Sequence, residues 1–359
     1  MTSRSIIHFF VKSVVLGAAV AALLLLFLPD LRQGNGFTNG LFTEPSVSAS
    51  RESYFASLSR SAPAVVNIYS VSIETDAGLF RNQPRERASL GSGVIMTENG
   101  YILTCHHVVE NADSIYVAVQ DGRVLEAQIV GNDPLTDLAV LKVTAESLNI
   151  IPQVAEPDTH VGDVVMAIGN PFDLGQTITQ GIVSRAGRNG LSNYVDFIQT
   201  DAVLNQGNSG GALVDSNGIL LGITNANFQV RDSRNRVRNV DGINFAVPYE
   251  LAKRVMDEII SNGRVIRGQL GFIGSERRNL AGILGIDVTA VAKGSPADTA
   301  GLQPGDIILS IDGVRAESAS KTLDMIAETE PGTKLEIEIS RNEKSMILTA
   351  TVAELRTGQ

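Results

Sequence analysis

From residue 62 onward the apolar positions fall in short runs separated by turn residues. Runs at 65–69, 93–96 and 101–104 come first, the last two split by Glu98-Asn99-Gly100. Further runs follow at 115–119, 125–130, 138–143, 164–168, 178–183, 197–200, 211–214, 219–224 and 243–247. Short runs of this kind, punctuated by Gly, Asn and Asp, predict strands joined by tight turns in a sandwich, a barrel or two small barrels. The texture changes at Pro248. Leu251, Val255 and Ile259 recur every four residues, which predicts an amphipathic helix over 248–260. Pro248 suits its first turn and Gly263 its stop.

Two other stretches depart from the strand texture. Residues 14–28 carry no charge, and the apolar segment extends back to Ile6 with only His8 and Lys12 interrupting it. That approaches the roughly 20 residues a spanning helix needs. Arg4 and Lys12 on its N-terminal side favour that end remaining cytoplasmic. A cleaved signal peptide would need a small-x-small site after the apolar core, and Phe27-Leu28-Pro29-Asp30 is a poor one. The expected order is therefore an uncleaved anchor over 1–29, a Gly/Ser/Thr/Pro-rich linker over 30–53, a β-rich domain over 54–262 and a smaller unit over 263–355. In that last unit a helix is expected near 322–328 and a strand through Leu335, Ile337 and Ile339. Tyr54 and Phe55 open the folded part, as packing groups or as an oligomer contact. Residues 231–238 hold four arginines and read as a solvated loop.

Composition narrows the function classes. Of 359 residues, 43% are hydrophobic and 19% charged, enough for packed cores in two domains. The formal net charge of −10 argues against nucleic acid as a partner. Cys105 is the single cysteine, which excludes an internal disulfide and a zinc site built from several thiolates. No cofactor or metal is expected.

The candidate chemistry centres on Gly207-Asn208-Ser209-Gly210-Gly211. A nucleophilic serine must sit on a tight turn with backbone N–H groups aimed at a developing oxyanion. Gly207 permits the turn, and the N–H groups of Gly207 and Ser209 are the natural donors. A glycine-rich hairpin would read the same way in isolation. A serine nucleophile also needs a base and an orienting carboxylate. His107, after the run at 101–104, and Asp137, heading the run at 138–143, sit at strand edges, where a barrel presents side chains to a cleft. His106 competes for the base role. In extended chain the two histidines would point to opposite faces. The order His, Asp, Ser is that of chymotrypsin-like enzymes.

Thr104-Cys105-His106-His107-Val108-Val109, Thr136-Asp137-Leu138-Ala139-Val140 and Gly207-Asn208-Ser209-Gly210-Gly211 together resemble the HtrA/Deg serine proteases. Ala167-Ile168-Gly169-Asn170-Pro171-Phe172, the stretch from Gly175 to Ile182 and Gln199-Thr200-Asp201-Ala202 agree with the same pattern, which covers nearly all of 54–355. The resemblance puts the base at His107 rather than His106. It implies a chymotrypsin-like double β-barrel followed by a PDZ domain, so the fold expected is mainly β with an N-terminal transmembrane helix. Cys105 departs from the family, which usually has Asn there. It reads as a buried small hydrophobe.

The C-terminal unit resembles a PDZ domain, with Gln269-Leu270-Gly271-Phe272 matching the loop that captures a peptide carboxylate. One such unit behind an N-terminal anchor resembles the DegS-like branch. That similarity implies a homotrimer, single-pass in the inner membrane with its folded part in the periplasm, working in envelope stress. It implies an oxyanion hole malformed until misfolded outer-membrane protein C-termini bind the PDZ domain, a membrane-bound anti-sigma factor as substrate, and Arg188 as an activation-loop arginine. The orientation of the Gly207–Asn208 peptide is expected to decide activity. Val203, six residues before Ser209, offers no carboxylate for a basic P1 side chain. With Ile223 and Thr224 nearby, an apolar, Val-like P1 residue is expected. The competing readings are a general quality-control protease and a PDZ-bearing chaperone or scaffold with a silent protease domain.

Overall fold

The computed structural model describes residues 3–27, 53–75, 84–171, 174–186, 197–226, 230–231, 237–238, 242–279 and 282–355. The chain divides into two units, Met1–Ser53 and Tyr54–Gln359. In the first, α1 (Ser3–Phe27) is one uninterrupted helix. Its Ile7–Leu24 stretch is long and apolar enough to cross a membrane, and a signal sequence would meet the same test. Lys12 does not break it, because lysine is a good helix former and its long stem can carry the charge away from an apolar surface. Most of the linker read at 30–53 lies outside the described residues.

The second unit opens with α2 (Phe55–Ser61) and one 3₁₀ turn, then builds two closed six-stranded barrels. The first contains β1 (Val65–Thr75), β2 (Pro84–Ile95), β3 (Tyr101–Cys105), β4 (Ser114–Ala118), β5 (Val124–Asp133) and β6 (Leu138–Lys142), closing in the order β1-β2-β3-β6-β5-β4. The second contains β7 (Val164–Gly169), β8 (Thr177–Arg185), β9 (Ile198–Thr200), β10 (Ala212–Asp215), β11 (Leu220–Asn225) and β14 (Asn244–Pro248), in the order β10-β11-β14-β9-β8-β7. A small ladder of β12 (Val230–Arg231) with β13 (Val237–Arg238) is what is described of the basic stretch. The apolar runs locate these strands well, but β1 and β2 continue beyond them as a hairpin pairing Ile73 with Glu86 and Thr75 with Pro84. Ile73 is exposed there, so no buried face writes an apolar signal into that part of the sequence.

Each barrel has its own interior, around Ile68, Ile102 and Leu141 in the first and Val165, Val183 and Leu213 in the second. A third cluster joins them, with Val65, Leu103 and Leu138 meeting Ile168, Ala212 and Ile223. The expected helix is α4 (Tyr249–Asn262), closed by Gly263 at φ 75° with its N–H on Ile259 O. Its buried face is Tyr249, Ala252, Val255, Met256 and Ile259, while Leu251 is only partly covered.

Beyond α4, β15 (Gly268–Gln269) pairs with β22 (Ala353–Glu354). A sheet runs in the order β16 (Phe272–Asn279), β17 (Gly282–Val291), β18 (Ile307–Ile311), β20 (Lys334–Arg341), β21 (Lys344–Thr351), with β19 (Val314–Arg315) beside β18. Helices α5 (Pro296–Thr299) and α6 (Ala319–Glu328) complete it over a separate core of Ile286, Ile308, Ile326 and Ile337. α6 starts three residues before the apolar pattern does, because the Ser318 side chain caps it by accepting from Lys321 N. The two folded parts are tied by Arg267, whose guanidinium meets Asp133 at 2.8 and 2.7 Å with both side chains largely buried. An Arg254–Glu328 pair joins α4 to α6.

Candidate active site

His107 lies in α3 (His106–Val109), a single helical turn directly after β3, rather than in extended chain. The sequence argument from opposite strand faces therefore does not apply. What separates the two histidines is their partners. The His107 ring places Nδ1 2.5 Å from Asp137 Oδ2, and its backbone N–H donates to Asp137 Oδ1 at 3.0 Å. His106 contributes its backbone N–H to Asp137 O, and its ring Nδ1 is buried without a hydrogen-bond partner among the described residues.

Asp137 sits in the turn between β5 and β6 with φ 56°, a left-handed conformation in which Asp is tolerated better than most residues. The turn is braced by Thr136, whose hydroxyl donates to Asp133 Oδ2 at 2.5 Å. Asn225, at the end of β11 in the other barrel, donates its amide to Asp137 Oδ2 at 2.9 Å. The carboxylate thus has three donors from two barrels. Asn225 escaped the sequence reading; its one signal is a polar residue closing an apolar run.

Ser209 is buried in the loop before β10. Its Oγ accepts from Ala226 N at 3.2 Å, and its carbonyl accepts from Ser92 N at 2.8 Å. Gly210 takes φ 84°, and a Cβ there would stand 2.2 Å from Ser92 O and 2.4 Å from Thr104 Oγ1, so the close contact between barrels demands glycine. Among the described residues no hydrogen bond joins the His107 ring to Ser209 Oγ. Such bonds commonly tighten only when substrate binds.

The backbone around Ser209 is held one peptide at a time. In the Gly207–Asn208 peptide the carbonyl accepts from Ser92 Oγ at 2.7 Å and the N–H donates to Asn205 O at 3.0 Å. The Asn208–Ser209 peptide is held by its carbonyl, which accepts from Thr224 Oγ1 at 2.6 Å and Gly211 N at 3.0 Å. The N–H groups of Gly207 and Ser209 donate to no protein acceptor among the described residues. The Gly207 N–H belongs to the Gln206–Gly207 peptide. The Gly207–Asn208 plane is hydrogen-bonded at both ends, and Gly207 has φ 102°.

Cys105 is fully buried beneath this cluster, its thiol on Thr224 O at 3.4 Å. Burial first, and the nearby Asp137 charge second, push its pKa well above the usual thiol value. Its sulfur lies with the His107 and Asp137 donor atoms within 4.8 Å of one another. Thiol, imidazole and carboxylate are ligands a zinc ion accepts, but a metal there would have to part the His107–Asp137 contact. Of the residues expected near the specificity pocket, Val203 is half exposed, whereas Ile223 packs in the cluster joining the barrels and Thr224 gives its hydroxyl to Asn208 O. Arg188 and Phe172 lie outside the described residues.

In the C-terminal unit, Gln269 ends β15, Leu270 is buried, Gly271 has φ 78° and Phe272 begins β16. The carbonyls of Leu270 and Gly271 are taken by Ala297 N and Ala292 N. Their N–H groups have no protein acceptor among the described residues, an arrangement suited to an anion. β16 ends the sheet order, and Ile273 on it is exposed.

Two closed barrels with a serine, a histidine and an aspartate gathered at their junction define a trypsin-like peptidase of chymotrypsin-like fold. The comparisons agree: a trypsin-like peptidase domain model matches residues 91–223, and a PDZ domain model matches 288–341. The chain is 46% identical to the serine endoprotease DegS of Escherichia coli K12 over 96% of its length and 97% of that protein's. Among solved structures, the HtrA-type protease AlgW with a tripeptide is 44% identical with a TM-score of 0.75, covering 85% of this chain and 98% of that one. The serine endoprotease from Yersinia pestis is 44% identical with a TM-score of 0.68 at the same coverage. The chain belongs to the HtrA family, as a DegS-like serine endoprotease with one PDZ domain.

Proposed function

We propose that Ser209 is the nucleophile of this endoprotease, His107 its general base and Asp137 the group that holds the imidazole and balances its charge. The observation that carries this is the pairing of His107 with Asp137 at 2.5 Å, beside a serine loop bonded to the same two barrels. The Gly207 and Ser209 N–H groups form the oxyanion hole. Ser209 attacks the substrate carbonyl as His107 takes its proton. His107 then returns that proton to the leaving amine, and water hydrolyses the acyl-enzyme. Val203 at the expected pocket and the lack of an acid there favour a small apolar P1 residue.

The protein is anchored in the inner membrane by α1, with the protease and PDZ domains, 54–262 and 263–355, in the periplasm. Misfolded outer-membrane protein C-termini bind at Gln269, Leu270, Gly271 and Phe272. The open N–H groups there and the edge position of β16 support this. Binding switches on cleavage of a membrane-bound anti-sigma factor, with Arg188 helping to order the hole. Phe55, 77% exposed, supports a contact between protomers of a homotrimer.

The decisive assay is casein cleavage by the full chain, with and without peptides bearing free apolar C-termini. Cleavage that depends on peptide and disappears in Ser209→Ala is expected. Activity retained by folded Ser209→Ala sinks the nucleophile assignment, and strong peptide-independent casein degradation points to general quality control instead.

A further inference from the structure

Ser92 is fully buried on β2 of the first barrel, yet its N–H and its hydroxyl make three hydrogen bonds to the second. Its N–H donates to Ser209 O at 2.8 Å. Its Oγ accepts from Asn170 N at 3.0 Å and donates to Gly207 O at 2.7 Å. Its own carbonyl is held in turn by the Thr104 hydroxyl at 2.7 Å. A serine hydroxyl has one proton. With a backbone N–H pointed at the oxygen, that proton is committed to the Gly207 carbonyl. The chain Asn170 N–H to Ser92 O–H to Gly207 C=O is directional, and each bond polarises the next.

We propose that Ser92 is a positioning residue of the oxyanion hole: its hydroxyl fixes the peptide plane that follows the Gly207 donor, and its backbone N–H fixes the carbonyl of the nucleophile. This rests on the protease reading above. Gly207 has no side chain to limit its rotation, so the orientation of its N–H depends on what holds the flanking peptides. On the C-terminal side that is the Ser92 hydroxyl and Asn205 O. The Gly91-Ser92-Gly93 stretch in β2 and the Gly169-Asn170 stretch closing β7 thereby acquire a joint role, one supplying the hydroxyl and the other setting its direction. Without that hydroxyl, the Gly207 carbonyl loses its cross-barrel partner and the first donor of the hole samples orientations away from the oxyanion.

The test uses the full chain in detergent micelles and a fluorophosphonate probe, whose phosphonylation of Ser209 builds negative charge on an oxygen in the hole. Maximal labelling rate and half-saturating concentration are measured for the wild type, Ser92→Ala and Ser61→Ala, together with their melting temperatures. Ser61 is equally buried and its hydroxyl bonds Ser57 O at 3.2 Å, so it reports the cost of losing such a group elsewhere. Direct loss of an oxyanion donor costs about 10²–10³ in rate, so its misorientation in Ser92→Ala is expected to cost on the order of tenfold. The half-saturating concentration should stay unchanged, and Ser61→Ala should keep the wild-type rate. A wild-type maximal rate in folded Ser92→Ala overturns the proposal. If that variant does not fold, Ser92→Cys, which keeps the side-chain shape with a larger atom and only a weak donor, decides: slowed labelling in the folded variant supports the role and an unchanged rate overturns it. All labelling is measured with a peptide bearing a free apolar C-terminus present, and absence of Ser209 labelling in the wild type under that condition would sink the protease reading itself, and this inference with it.

Discussion

Asp137 grips His107 twice: one carboxylate oxygen lies 2.5 Å from the ring Nδ1, and the other takes the backbone N–H at 3.0 Å. The second bond makes the first a matter of geometry, because it fixes the carboxylate relative to the very residue whose ring it orients. Asn225, reaching over from the second barrel, occupies a further lone pair of Oδ2. The carboxylate has little freedom to do anything except face the imidazole.

Replacing Asp137 with Asn keeps the shape but offers an amide N–H where the ring needs an acceptor. The ring is then held in the wrong tautomer, with no basic nitrogen toward Ser209. The expected loss in kcat is about 10⁴-fold with the fold retained. Steady-state cleavage and circular dichroism of Asp137→Asn check this together.

Arg267 and Asp133 meet in a bidentate pair that is largely out of water. In Arg267→Ala the carboxylate keeps its buried position and loses its counter-charge, a situation that costs roughly 3–5 kcal/mol. Denaturant unfolding should show that loss, and the turn carrying Thr136 and Asp137 should exchange its amide hydrogens faster. Unchanged stability would mean Asp133 finds water or another partner.

Gly210→Ala meets both a left-handed backbone angle and atoms of the opposite barrel. The angle alone costs on the order of 1–3 kcal/mol, and the clash with Ser92 O adds to it because backbone cannot swing aside. Poor yield of folded protein, or a folded variant with no cleavage activity, is the expected result of expression and assay.

Burial and the Asp137 charge hold the Cys105 thiol neutral well above the pH at which a free thiol ionises. A raised native value means the stabilisation is complete below the unfolded-state pKa of about 8.5 and is lost as pH rises past it, since only the unfolded thiol then ionises freely. Native protein should resist a thiol reagent such as DTNB at neutral pH and react once unfolded. Cys105→Ser should lose less stability than the wild type between neutral and alkaline pH.

Much of this is legible in the chain itself. Strand runs, the helix after Pro248, the apolar N-terminal segment and the Gly207–Gly211 loop are local patterns, set by side-chain periodicity and by glycine's access to unusual backbone angles. Local patterns could not say which histidine serves Asp137. In α3 the two adjacent residues differ in direction by about 100°, and only the returning β5–β6 turn selects His107. Nor could they show Ser92 or Asn225, an ordinary serine between glycines and an ordinary asparagine after a strand. Both matter because the barrels pack face to face, so that buried polar atoms of one must be satisfied by the other. The sequence by itself determined the elements, the chemistry present and the order in which it occurs. The tertiary structure alone decided which peptide planes are pinned, because hydrogen bonds between residues more than a hundred positions apart exist only once the two barrels meet.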